Sequence, residues 1–389
     1  MCNSTHLSKA SRSSQTCSGA TLTATLGDPV RVSSHLAPNP MAFFKRRKVT
    51  IGLDIGSGLV KVAVIDHSKG LPELQRVVIE PVPADAIIEG EVMDHALVIL
   101  AVQNALAAVA AEAKGAHVVA AVGGGNVIVR KIVIDRNKSN ELREAMQWEA
   151  EQIVPFDTSS IALDYQVLDP DGESAEMSVL LAVAKRDLID ARVQLLRDAG
   201  FDPKVVDVEA FALHNAFEFN HPDAMRGTVA LVNIGNDVCN VSVLDDGIPI
   251  LTRDNAVGVR RLREDLQRDA RMTADDADSA LVASTTTPAL DNVVHRRGEE
   301  LAKEIERTGT VAQSLSRTVR PIREVYIAGG GARVTGLAER LASLLRIPVR
   351  PVNPLLNLAV ADGALADVNA DEVAPLLVLP VGLALRQVA

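Results

Sequence analysis

Leu53-Asp54-Ile55-Gly56-Ser57-Gly58-Leu59-Val60-Lys61-Val62-Ala63-Val64-Ile65-Asp66 and Val232-Asn233-Ile234-Gly235-Asn236-Asp237-Val238-Cys239-Asn240-Val241-Ser242-Val243-Leu244-Asp245 carry one pattern twice. Each is an apolar strand, an acid or amide, a glycine-bearing turn, and a second alternating strand ending in Asp. Asn233, Gly235 and Asn236 stand in the places of Asp54, Gly56 and Ser57, whereas Asp237 replaces Gly58 and makes the second turn more acidic and less permissive. Shared polar residues, glycine and terminal acid are rarer coincidences than a shared apolar pattern. The repeat predicts two similar halves facing each other.

Both turns join strand to strand. A P-loop instead needs a longer Gly-Lys-Ser/Thr loop opening a helix, and the chain has none. In such a hairpin, glycines let the backbone approach an anion, and successive N–H groups form an anion-binding concavity suited to phosphate. Gly56, Ser57, Gly58 and Leu59 would line it, and the nearby Lys61 would neutralise charge. Asp54 repels phosphate, so its expected role is to hold Mg2+ through water, since Mg2+ keeps much of its hydration shell. One copy alone is equally an ordinary turn; the second copy, through Asn233, Gly235, Asn236 and Asp237, favours a two-sided phosphate clamp.

A third motif runs Tyr326-Ile327-Ala328-Gly329-Gly330-Gly331-Ala332, then Thr335-Gly336-Leu337. It reads as a strand, a glycine cluster and a helix start, and Gly329, Gly330 and Gly331 suit the approach of an adenosine or α-phosphate. The dinucleotide-binding alternative fails because Val334 stands where G-x-G-x-x-G needs its last glycine. The glycines at 123–125 read as a strand-end turn.

The 389 residues allow two or three domains. Hydrophobic residues at 47% supply ample core, while aromatics at 3% leave that core to Val, Leu, Ile and Ala. A net charge of −10 argues against a nucleic-acid footprint, so an anionic ligand must be held by local donors and a metal. Cys2, Cys17 and Cys239 have no paired spacing, which leaves no disulfide framework or zinc site readable, and Cys239 reads as a core residue. No apolar run reaches the roughly 18–20 residues that cross a bilayer, so a soluble protein is expected. Residues 1–40 are rich in Ser and Thr with Asp28 as the sole acid; they read as a disordered extension or a mis-assigned start before Met41, a composition shared with transit peptides. Phe43-Phe44-Lys45-Arg46-Arg47-Lys48 reads as a solvated basic lead-in.

Periodicity predicts strands over 49–54, 60–66, 117–122, 127–134, 161–168, 177–184, 205–208 and 325–328. It predicts helices over 96–114, 140–153 with Glu141 in the first turn, 187–199 capped by Asp187, 210–219, most of 259–318, and 337–345. The apolar segment 375–385 should be buried. Strands and helices mix throughout, which gives an α/β class.

The order hairpin, hairpin, Gly-Gly-Gly-Ala resembles the actin-like ATPase superfamily. That resemblance implies two similar lobes around a nucleotide cleft, holding ATP with Mg2+. Val205-Val206-Asp207-Val208-Glu209-Ala210-Phe211 resembles the connection between the halves, with Glu209 where the superfamily often places a polar residue near the attacking water. Within the superfamily the chain resembles the PilM family of type IV pilus assembly. The discriminating stretches are Trp148-Glu149-Ala150-Glu151-Gln152-Ile153-Val154-Pro155-Phe156-Asp157, Asp164-Tyr165-Gln166-Val167-Leu168, Val183-Ala184-Lys185-Arg186-Asp187, and Val381-Gly382-Leu383-Ala384-Leu385-Arg386. This implies an N-terminal lobe from 41–123 and 179–222, an inserted FtsA-type subdomain at 124–178, and a C-terminal lobe at 223–389. It also implies a cytoplasmic scaffold, peripheral to the inner membrane, that binds the cytoplasmic N-terminal peptide of a PilN-like inner-membrane protein.

One departure bears on turnover. The superfamily usually has Asp at the place of Asn233, and an amide holds hydrated Mg2+ less strongly and cannot act as a base. Slow or no hydrolysis is therefore expected. A small-molecule kinase would need a base, for which only Glu209 or Asp207 offers itself. An FtsA-like division protein would end in a basic amphipathic helix, and the sequence given ends Arg386-Gln387-Val388-Ala389.

Overall fold

The computed structural model describes residues 48–136, 141–155, 157–316 and 318–386. The readings of residues 1–40, of Phe43 to Arg47 and of Phe156 lie outside the described residues.

The chain opens with an antiparallel meander, β1 (Val49–Ile55), β2 (Leu59–Asp66) and β3 (Glu73–Pro81). A small hairpin, β4 (Ile87–Ile88) and β5 (Glu91–Val92), precedes helix α1 (His95–Ala107). Asp94 starts that helix by accepting a hydrogen bond from the Leu97 N–H at 3.1 Å, which satisfies one of the orphan donors at its end. β6 (His117–Val122) returns parallel to β1. β7 (Val127–Asp135), α2 (Leu142–Ile153), β8 (Ile161–Val167) and β9 (Glu176–Lys185) follow. α3 (Arg186–Asp198), β10 (Val205–Val208) and α4 (Glu209–Asn220) lead to the second meander, β11 (Thr228–Ile234), β12 (Cys239–Asp245) and β13 (Ile248–Asn255). Next come α5 (Val259–Ala270), α6 (Ala274–Leu281), α7 (Pro288–Leu315), β14 (Glu324–Ala328), α8 (Leu337–Leu345), β15 (Val349–Pro351), β16 (Ala359–Val360), α9 (Ala370–Val373) and α10 (Val378–Ala384).

Two sheets repeat one topology. The first runs β10-β6-β1-β2-β3-β16 and the second β15-β14-β11-β12-β13-β7-β9-β8. In each, a meander pairs in parallel with a later strand: β1 with β6, and β11 with β14. The strands β7, β9 and β8 extend the second sheet through β13, where Leu251 pairs with Arg130. Between the sheets, α4 and α10 bury Leu213, Phe217, Val378 and Leu383 against Val119, Leu231 and Tyr326. The approach is close enough to need glycine: a Cβ on Gly52 would meet the Pro380 carbonyl oxygen at 1.9 Å, and one on Gly382 would meet that of Ala212 at 1.8 Å. The apolar segment at 375–385 is thus a buried wedge, as its composition predicts.

Several boundaries differ from the sequence reading. α1 stops at Ala107, and the chain reaches Gly115 (φ +75°) through turns. Glu141 takes the N-cap position of α2 without a side-chain bond, and Glu144 fills the first turn instead. The predicted face does pack: Leu142, Met146, Ala150 and Ile153 join one cluster with β8 and β9. Asp187 is not a cap, because the helix starts one residue earlier and Lys185 is the cap residue; the acid sits in the first turn, where it still suits the dipole.

Candidate functional site: a cleft between two glycine hairpins

The repeated hairpins close in the same way. The Gly56 N–H donates to the Leu59 carbonyl at 3.0 Å, and the Gly235 N–H donates to that of Val238 at 2.9 Å. Registers match too, with Asp54 opposite Lys61 and Asn233 opposite Asn240. The two turns meet at equivalent residues: Asn236 Nδ2 donates to Ser57 Oγ at 3.3 Å. A Cβ on Gly58 would lie 3.4 Å from Asn236 Cγ, so the glycine keeps the turns close without crowding.

Their charges diverge. Asp54 is buried, and its Oδ2 lies 2.5 Å from Lys61 Nζ. The second hairpin puts two amides in those places, and Asn240 Nδ2 donates to Asp254 Oδ1 at 2.8 Å. Burial pushes the Asp254 carboxyl up, opposed by that hydrogen bond. Glu209 opens α4. Burial, then the charges of Asp54 and Asp254, push it up to about 7 against the pull of Arg192 and Lys61. An acid that titrates near neutrality in a cleft is poised to exchange a proton.

The third glycine motif stands beside the second hairpin, because β14 pairs in parallel with β11 and sets Ala328 next to Asn233. Gly329 has φ +78°, and a Cβ there would lie 2.5 Å from Asn233 Oδ1 and 2.6 Å from the Ile234 carbonyl oxygen. Glycine is therefore required twice over, by backbone and by space. Gly330 and Gly331 begin a short 3-10 turn to Arg333, and α8 starts only at Leu337, so the motif does not itself open the α-helix. The fold thus gathers Asp54, Ser57, Lys61, Asn233, Asn236, Gly329 and Glu209 around one cleft.

Two carboxylates behave differently from their sequence reading. Asp207 is fully buried and paired with Arg386 Nη1 at 2.9 Å, so it is not free to serve as a base. Asp237 points sideways. It accepts from Arg260 Nε at 2.7 Å and from the Glu89 N–H at 3.0 Å, while Arg260 Nη1 donates to Asp85 at 2.8 Å. Asp85 and Glu89 hold φ of +60° and +50°, a conformation uncommon for residues with side chains. The acid that replaces glycine in the second turn is therefore neutralised by Arg260, whose helix α5 also caps this turn: the Val259 and Arg260 N–H groups donate to the Gly235 and Asn236 carbonyls at 3.0 and 2.8 Å.

Sequence reasoning missed Arg192, Asp254, Arg260 and Gly123. Asp254 and Arg260 lie near the end of β13 and the start of α5, past a strand that the alternation did not reveal. Arg192 carries no local signal on its helix. Gly123 had one, the glycine run after an apolar strand, but that run was read as a turn.

Two sheets of one strand order, with facing glycine hairpins and a third glycine turn beside the second, define the mixed α/β fold of the actin-like ATPases. A solved structure of the ethanolamine utilization protein EutJ from Carboxydothermus hydrogenoformans shares it at TM-score 0.53 and 18% identity, over 90% of this chain and 91% of that one. Within that class the chain belongs to the type IV pilus assembly protein PilM family, whose pattern it matches over residues 52–388. It is similar to a chain of a PilM-PilN type IV pilus biogenesis complex at TM-score 0.74 and 25% identity, covering 89% of this chain and 99% of that one. Among the described residues no helix is long and apolar enough to cross a membrane.

Proposed function

We propose that this protein is a cytoplasmic, ATP-binding scaffold of type IV pilus assembly. It would hold the cytoplasmic N-terminal peptide of a PilN-like inner-membrane protein and turn ATP over slowly or not at all. The observation that carries the nucleotide reading is the meeting of the two hairpin turns at Ser57 and Asn236, with a buried carboxylate–lysine pair behind one of them. The cleft residues fit Mg-ATP. Ser57, Gly58, Leu59 and Lys61 on one side, and Asn236 and the backbone of Asp237 on the other, would offer donors to phosphates, while Gly56 and Gly235 close the two turns that present them; Gly329 to Gly331 leave room for the adenosine end. Among the described residues no group of three His, Cys, Asp or Glu can hold a metal. Mg2+ would therefore rely on Asp54, water and the phosphates themselves, which is the usual arrangement for this ion. Bound Mg2+ would neutralise phosphate charge, and Glu209 is the group placed to orient or deprotonate a water.

The subdomain division at 41–123 with 179–222, 124–178 and 223–389 belongs to the same proposal. The sheet order supports an inserted unit, since β7, β8 and β9 hang together at the margin of the second sheet, but β9 pairs with β7 as far as Ala184 and with β8 as far as Lys185, so that unit runs past 178. The partner reading is supported by the likeness to a PilM-PilN complex. It is tested by titrating a synthetic PilN-like N-terminal peptide into the protein with and without Mg-ATP. Saturable binding is expected; no binding in either condition removes the partner from the proposal. A second substitution probes the altered hairpin. Asn233→Asp is expected to leave Mg-ATP affinity within a few-fold, because the acid restores a metal-binding charge without changing shape. Loss of binding in calorimetry would show that the hairpins do not act as a pair.

A further inference from the structure

Glu209 stands over a glycine whose missing side chain leaves the place its carboxylate fills. A Cβ built on Gly123 would lie 2.4 Å from Glu209 Cδ and Oε2 and 2.8 Å from Oε1, and these are its three nearest atoms. The next glycine, Gly124, is different: it has φ +86° and open space around its missing side chain. Gly123 has no left-handed backbone to explain it, so an alanine could adopt its conformation. The nearest obstacle to one is the end of the Glu209 side chain, which would have to give up its place.

A second group acts on the same carboxylate through its charge: Arg192 of α3, whose Nη1 is buried with no hydrogen-bond partner. The charges that act on this guanidinium are those of Glu209 and Asp54. A buried cation with a spare donor is costly unless opposed carboxylates or an incoming anion compensate it.

We propose that Gly123 and Arg192 are positioning residues for Glu209: the glycine vacates the place its carboxylate fills, and the arginine supplies a buried positive charge to balance it. The proposal rests on the reading of this cleft as the nucleotide site and names what holds its acid in place. The groups facing Glu209 are Asp54 and Asp254, which oppose its charge, and Arg192 and Lys61, which favour it. The acids outweigh the cations in effect once burial is added. Glu209 is therefore held near the point where it is half-protonated at neutral pH. An acid raised in the folded state binds more protons there than in the unfolded chain, so its contribution to stability falls as pH rises from about 4.5 to about 7.

The test is a double-mutant cycle with a titration. Gly123→Ala should lower the folding equilibrium constant several-fold, because the carboxylate must leave its buried place, and the loss should shrink in a Glu209→Ala background. If Gly123→Ala does not fold, recovery of folding in the double variant carries the same meaning. Equal damage in both backgrounds overturns the seat. For Arg192, the Glu209 carboxyl is followed by carbon NMR from pH 5 to 9. Its midpoint, near 7 in the parent, should rise in Arg192→Gln and return towards the parent value in Arg192→Lys. A midpoint unmoved by Arg192→Gln overturns the role of the arginine; if that variant does not fold, an Arg192→Lys midpoint far from the parent's does so. Neither readout needs nucleotide. Calorimetry of the parent with Mg-ATP runs alongside, and failure to bind there sinks the nucleotide reading while leaving the seat intact.

Discussion

Arg386→Ala is expected to cost about 3–5 kcal/mol of folding stability at pH 8, the range for breaking a buried ion pair, and clearly less at pH 5. Arg386 Nη1 lies 2.9 Å from Asp207 Oδ2, and Asp207 is fully buried in β10. Burial pushes this carboxyl up, and the arginine together with the Val208 N–H holds it down. Without the arginine, the carboxylate is left in a place it can occupy cheaply only as the neutral acid. An acid raised in the folded state retains its proton there to higher pH, so the penalty grows as pH rises and fades as Asp207 takes up a proton. Urea melts at the two pH values measure the difference. Equal losses at both, or a loss below about 1 kcal/mol, the range of a surface pair, would show that the pair is not a buried anchor. The anchor matters for the site because β10 runs directly into Glu209.

Asp54→Ala is expected to weaken Mg-ATP binding about ten- to a hundredfold, the loss of one charged contact. The same change should spare metal-free ATP or tighten it. In the parent, Lys61 lies 2.5 Å from Asp54, which opposes its charge. Removing the acid frees the lysine for phosphate while abolishing the carboxylate that would hold hydrated Mg2+. Calorimetry with Mg2+ and with a chelator separates the two. Undiminished Mg-ATP affinity would sink the phosphate-hairpin assignment.

The hairpins were legible because their chemistry is local. Asp54 to Lys61 and Asn233 to Asn240 each place apolar alternation, turn glycine and polar residue within one short stretch, and the observed registers pair those residues across each hairpin. The glycines at 329–331 were legible for the same reason. What was not legible depends on distant partners. β3 shows little alternation because its burial is uneven, with Leu74 and Val77 covered and its neighbours half-exposed. β13 carries Arg253 and Asp254 on a half-buried end, which reads as a loop. Arg192 looks like any surface cation of a helix until α3 is laid against the cleft. Gly123 is explained only by Glu209, 86 positions later in the chain and adjacent in space. Asp237 misled for a related reason: its acid suits no phosphate until Arg260 and Glu89 are seen to claim it.

That last arrangement gives the second turn a mechanical role. Asp237, Arg260 and Asp85 form a chain of three charges that crosses from the turn to the segment before the β4–β5 hairpin, and the Glu89 N–H adds a third link. The turn cannot be displaced alone. It must either break these links or drag the hairpin with it, and the hairpin leads through the exposed Met93 to α1, where Leu97 and Leu100 also stand exposed. The second turn is thus tied, through side chains far apart in sequence, to the segment that leads into α1.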